Sequence, residues 1–186
     1  MFGIIEDKEI FLIDDSYSED KVKAVSMGEI ETTTDNQKVL FTFGLETCIG
    51  IYAYSKNFGL LGHIDSGDML KTHFEHTYNQ IDGKWVNIPG KFKQTGEIMY
   101  IIRQNIDKIS SPLKIGLVVG TSATSFCIEE IKKIDFAIES IIEMVKDIGI
   151  AIEKQEPIIS PSVIVDTENL LLKTEEPRPL FERKPF

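Results

Sequence analysis

The chain has 186 residues and a formal net charge of -10, with hydrophobic residues at 42% and charged residues at 27%. That composition predicts one packed domain rather than a disordered chain, and its acidic balance excludes the attraction to phosphate on which nucleic-acid and anionic-lipid binding rest. The opening MFGIIEDKEIFLIDD carries acids where a secretory leader needs a basic start, and no apolar run nears the roughly 20 residues of a membrane span. A soluble, cytoplasmic protein without membrane insertion is expected, with proteins or small neutral molecules as partners.

Residues 1–20 form an extension ahead of the patterned sequence. Residues from about Lys21 to Ile30 and from Lys38 to Tyr54 read as strands, because VLFTF and CIGIYAY are rich in β-branched and aromatic residues. TTDNQ at Thr33 to Gln37 is a turn between them. Lys56-Asn57-Phe58-Gly59 is a second turn, and Leu60 to Ile64 then return as a strand, so the hairpin brings Cys48 near His63. A helical piece is expected around Met69 to Gln80, followed by a turn at Asp82-Gly83.

From about Thr95 to Ile109 the apolar residues Ile98, Ile101, Ile102, Ile106 and Ile109 recur at three and four, the period of an amphipathic helix. Lys114 to Val119 reads as a buried strand. A long helix follows over Ile128 to Ile148, with Gly149 as its stop, and then strands at Ile150 to Lys154, Ser162 to Asp166 and Leu170 to Lys173. Residues 175–186, with three prolines and charges of both signs, predict a flexible or extended tail. The pattern as a whole predicts an α/β (α+β) layered sandwich, mixed β-sheets packed together with flanking helices.

The inventory of candidate nucleophiles and bases is short: Cys48, Cys127, His63, His73 and His76. A Cys and a later His carry little weight alone, since most such residues are packed structural groups. The surroundings of Cys48 add to it. Gly44 lets the chain turn sharply ahead of the thiol, presenting the sulfur and releasing backbone N–H groups, as acyl transfer requires.

Thr42 to Cys48, TFGLETC, resembles the segment of the bacterial chemoreceptor glutamine deamidases, the CheD family, that places a Thr six residues before the nucleophilic Cys. VKAVSMGEIETTTDNQKVLFTFGLETC looks like that family's opening strands, and FGLLGHI resembles its glycine-rich approach to the catalytic His. KIGLVVGTSATSF and SVIVDTENLLLKT look like its closing elements, so the likeness spans residues 21–174. It implies Cys48 as nucleophile, His63 as base and Thr42 as the group that fixes the imidazole. It also implies a protein substrate, a chemoreceptor or another glutamine-bearing protein, a possible regulatory protein partner, and no metal or organic cofactor.

The gap of fifteen positions from Cys48 to His63 is similar to that in the cytotoxic necrotizing factor deamidases, which modify a glutamine in small GTPases. Two departures bear on the substrate. Glu46-Thr47 stands where the chemoreceptor enzymes have a small Gly-Ser pair, and Ile64-Asp65-Ser66-Gly67 replaces an apolar, proline-ended run. Thr-Cys and His-x-Asp look more like protein N-terminal asparagine amidohydrolases, which keeps Asn beside Gln as the side chain attacked. A non-catalytic docking or regulatory module on the same fold is the reading from a different class.

Other candidates are weighed against their plain structural readings. Asp65, two residues beyond His63 and on the same strand face, is an alternative orienter of the imidazole. Glu46 reads as a substrate or solvent contact. His73, Glu75 and His76 lack a third ligand at zinc-site spacing. Cys127 reads as a buried thiol at a helix start, and Gly120 to Ser125 as a pocket lining without the Lys and second glycine of a nucleotide loop. Trp85 and Phe92 fit either a recognition surface or the core.

Overall fold

The computed structural model describes residues 17–65, 77–81, 84–88, 93–121, 138–139, 141–143, 145–147, 149–175 and 178–179. Two mixed sheets dominate. A seven-stranded sheet has at its centre β4 (Cys48–Ser55), flanked by β5 (Phe58–Asp65) and β8 (Leu113–Val119), both antiparallel to it. β2 (Ile30–Thr32) extends it beyond β5, and β9 (Ile152–Lys154) and β10 (Ile158–Ile159) run parallel to successive parts of β8. β13 (Arg178–Pro179), inside the expected C-terminal tail, adds an antiparallel edge to β10.

The smaller sheet has the order β1 (Val22–Ala24), β3 (Val39–Thr42), β11 (Val163–Asp166), β12 (Leu171–Thr174). Its side chains alternate between two faces, and in β3 and β11 both faces are buried. Leu40, Val163 and Val165 point inward and meet Leu45, Tyr52, Leu61 and Val118 of the large sheet and its loops, whereas Val39, Phe41 and Ile164 pack with Tyr17 and Val22 on the outside.

The opposite face of the large sheet carries Ile49, Ile51, Ala53, Leu60 and Ile115. It is covered by Ile98 and Ile102 of α1 (Lys93–Gln104) and by Ile138, Ile141, Ile142 and Val145. Residues 138–139, 141–143 and 145–147 are helical, and Gly149 follows with φ of 83°, the left-handed conformation that ends a helix. The molecule is thus a three-layer sandwich of helices, large sheet and small sheet, the α+β arrangement that the pattern predicts. Because β4 is covered on both sides, all eight of its residues are buried.

Several boundaries differ from the sequence reading. The expected strand from Lys21 to Ile30 divides into β1 and β2, which join different sheets, because Gly28 at φ of 86° turns the chain between them. The turn after β4 is confined to Lys56-Asn57, since Phe58 and Gly59 already pair with Ser55 and Tyr54. The helix expected to reach Ile109 gives way to a 3-10 turn at Ile106–Lys108, where the Asn105 side chain donates to the Ile101 carbonyl at 2.9 Å.

The largest correction concerns Thr77 to Gln80, expected at the end of a helix. They lie in β6 (Thr77–Ile81), paired antiparallel with β7 (Lys84–Ile88), the strand that holds Trp85. Ile81 pairs with Lys84, so cross-strand pairing takes the place of the expected helix end, and the turn expected at Asp82-Gly83 lies outside the described residues. Met69 to His76 lie outside the described residues.

Candidate functional site

Cys48 opens β4 directly after the loop 43–47, and that loop is held from several sides. Gly44 has φ of 70°, a conformation that a side chain would strain. Leu45 is fully buried; its N–H donates to the Pro161 carbonyl at 2.8 Å and its carbonyl accepts from the Thr121 N–H at 3.0 Å. The Cys48 carbonyl accepts from the Gly120 N–H at 2.9 Å. Gly120 comes so close that a Cβ there would lie 2.2 Å from the Leu45 carbonyl oxygen. Glu46 and Thr47 remain exposed at the crest of the loop.

The β4–β5 register sets Cys48 opposite Asp65 and Gly50 opposite His63. Paired residues of an antiparallel ladder share a face, so Cys48, Gly50 and His63 lie on the face toward the small sheet. Cys48 and His63 are diagonal neighbours, a relation in which Cα atoms stand about 7–8 Å apart and Cβ atoms less. Gly50 leaves no side chain opposite the imidazole. Space there is limited, since a Cβ at Gly50 would already meet Leu45 Cδ1 at 3.3 Å and Val118 Cβ at 3.4 Å.

Thr42 ends β3 in the small sheet and reaches across the seam. Its Oγ1 lies 2.7 Å from His63 Nδ1 and 2.7 Å from the Val25 carbonyl oxygen. A hydroxyl has one proton, and a carbonyl accepts only, so Oγ1 donates to Val25 and must accept from Nδ1–H. That assignment gives the neutral ring its hydrogen on Nδ1 and leaves the lone pair on Nε2, which is buried. Thr42 is 2% exposed and His63 5%, so water competes weakly for these bonds.

The backbone of His63 is fastened too. Its carbonyl accepts from the Gly28 N–H at 2.7 Å and its N–H donates to the Glu29 carbonyl at 3.0 Å, tying it to the turn between β1 and β2. This turn supplies a residue that sequence reasoning missed: Met27, whose Sδ lies 3.7 Å from Cys48 Sγ. The only trace of it in the sequence is an apolar residue set inside a Ser-Met-Gly turn. The Val25 and Pro161 carbonyls left no trace, because a backbone acceptor carries no residue type.

The remaining candidates separate clearly. Cys48 is a reduced thiol, 5% exposed. Of the two proposed orienters, Thr42 holds Nδ1, while Asp65 pairs with Cys48 by register at the end of β5. Gly120 and Thr121 support the loop ahead of Cys48, whereas residues 122–125, Cys127, His73, Glu75, His76 and Phe92 lie outside the described residues. Among the described residues no three His, Cys, Asp or Glu are grouped to hold a metal ion, and no helix is long and apolar enough to cross a membrane. Comparison with protein-family models and with curated proteins returns no match.

Proposed function

We propose that the chain is a cysteine-dependent protein amidohydrolase that deamidates a glutamine side chain on a protein partner. The observation that carries the reading is the relay from the Val25 carbonyl through the Thr42 hydroxyl to His63 Nδ1, beside a buried thiol on the same sheet face. A histidine serving only as packing has no need of a fixed tautomer. One serving as a base needs its Nε2 lone pair directed at the nucleophile, and an Nδ1–H bond is the standard means. The likeness of TFGLETC and FGLLGH to the chemoreceptor deamidases supplies the substrate class.

The chemistry follows from the weakness of a carboxamide as an electrophile and of its nitrogen as a leaving group. His63 Nε2 takes the proton of Cys48, and the thiolate adds to the amide carbon, forming the C–S bond while the carbonyl electrons move to oxygen. Backbone N–H groups at Cys48 and a neighbouring loop residue hold that oxyanion. The imidazolium returns its proton to the nitrogen, the C–N bond breaks and ammonia leaves. Water, deprotonated by His63, opens the thioester to the carboxylic acid and restores the thiol. An amine in place of that water would give transamidation at the same thioester.

The deciding experiment measures ammonia release from peptides and receptor fragments bearing internal Gln, internal Asn or N-terminal Asn. Release from the internal-Gln substrates, lost at least about 10³-fold in Cys48→Ala, is the expected result. Release from N-terminal Asn alone would transfer the activity to the asparagine amidohydrolase class. No release from any substrate, with Cys48 alkylating no faster than free cysteine, would leave a docking module on this fold.

A further inference from the structure

Met27 is 64% exposed although it touches a thiol that is only 5% exposed. Its backbone is held firmly: Gly28 takes φ of 86°, the Ser26 N–H donates to the Glu29 carboxylate at 3.0 Å, and both flanking bonds to His63 come from this turn. The side chain therefore stands in solvent on a fixed backbone, its polarisable sulfur in contact with Cys48 and its three torsions adaptable.

We propose that Met27 is a substrate-contacting specificity residue whose thioether forms the apolar wall against which the methylene stem of the attacked side chain packs. An amide carbon poised for attack sits about 3–3.5 Å from Sγ. The methylene bonded to it lies about 1.5 Å farther on, and Met27 Sδ is 3.7 Å from the same Sγ. The amide oxygen and nitrogen require polar partners, so the apolar wall suits the stem. Glutamine offers two methylenes to it and asparagine one. The inference extends the amidohydrolase reading by naming what selects its substrate.

Alkylation of Cys48 tests it independently of turnover. Two probes are compared on the intact chain: iodoacetamide, which has no stem, and a glutamine analogue in which a chloromethyl ketone replaces the carboxamide, so that thiolate attack expels chloride. Met27→Ala is expected to lower the chloroketone rate about tenfold relative to iodoacetamide, near the least that one methylene contact contributes in a pocket. Met27→Leu should keep the wild-type ratio. With internal-Gln peptides, Met27→Ala should raise KM about tenfold and change kcat less than about threefold.

An unchanged ratio of the two alkylation rates in Met27→Ala, or a loss in Met27→Leu as large as in Met27→Ala, would overturn the role of Met27. Absence of ammonia from every wild-type reaction would instead sink the amidohydrolase, and the alkylation ratio would still judge Met27. The exposure of the side chain lets both variants fold, and matching thermal melts verify that they do.

Discussion

Along β4, Ile49, Ile51 and Ala53 face the helices, whereas Cys48, Gly50, Tyr52 and Tyr54 face the small sheet. Burial does not separate the two sets, since all eight residues of the strand are buried. Composition does. The helix side is mostly aliphatic, with Phe58 as the one aromatic ring among the described residues of its buried cluster, and is stabilised by removal of apolar surface from water. The other side encloses a thiol, two phenols, an imidazole and a threonine hydroxyl, and such groups are tolerable only when their polar atoms find partners. One face stores stability, and the other uses part of it to hold polar groups in set positions.

The sharpest way to break that contrast is to truncate one residue on each face. Under the amidohydrolase proposal, Cys48→Ala should abolish ammonia release, by at least about 10³-fold, and shift stability by no more than about 1 kcal/mol, because it removes one sulfur at the end of the strand. Ile51→Ala should do the reverse. It should cost about 2–5 kcal/mol in urea unfolding and leave kcat per folded molecule within about threefold of wild type. A large stability loss in Cys48→Ala with a small rate loss would mean that the thiol belongs to the core like its neighbours.

The same contrast governs what the sequence discloses. CIGIYAYS and FGLLGHI announce a buried hairpin because β-branched and aromatic residues on both faces leave little else for them to be, and the Lys56-Asn57 turn aligns Gly50 with His63. Isoleucines at three and four likewise announce α1. The seam between the sheets is legible only in part. Thr42 and Cys48 are visible as a spacing, but nothing in the residues tells that β3 lies across from β5, since strand order is decided by long-range packing. Met27 and the Val25 carbonyl reach the site through that order. Thr77 to Gln80 misled because helical and strand periods are indistinct over so short a run, and cross-strand pairing with Lys84–Ile88 decided it.

A smaller effect sharpens the polar face itself. Thr42→Val keeps the shape of the side chain and removes the hydroxyl, leaving the Val25 carbonyl without its donor and His63 Nδ1 without the acceptor that fixes its tautomer. Both atoms are enclosed, so stability should fall by about 1–3 kcal/mol. Under the amidohydrolase reading kcat should fall about 10- to 100-fold with KM little changed, since the ring is needed in one orientation only during proton transfer. Thr42→Ser, which retains the hydroxyl, should recover most of the rate. Equal loss in both variants would assign the effect to packing rather than to the hydrogen bond.

The mildest test needs no substrate, because the phenols of Tyr52 and Tyr54 mark the polar face by their titration. Burial pushes the pKa of Tyr52 above its ordinary value of 10.0, and that of Tyr54 is raised in the same direction, first by burial and then by the nearby Glu153 carboxylate. The ring of Tyr52 lies over Gly116, where a Cβ would come within 2.4 Å of its hydroxyl oxygen, so the neutral phenol is closely enclosed. A raised folded-state pKa means that the unfolded chain ionises first. The contribution of Tyr52 is therefore intact below about pH 10 and is lost as pH climbs toward the folded-state value. Urea midpoints measured from pH 9 to 11 should fall more steeply for wild type than for Tyr52→Phe, the difference in slope approaching about 1.4 kcal/mol per pH unit at the alkaline end. Ile51→Val, on the aliphatic face, should lower stability by about 0.5–1.5 kcal/mol uniformly across that range and leave the slope untouched. Parallel curves for wild type and Tyr52→Phe would show that the phenol ionises in the fold without penalty, and the face toward the small sheet would then be wetter than its packing implies.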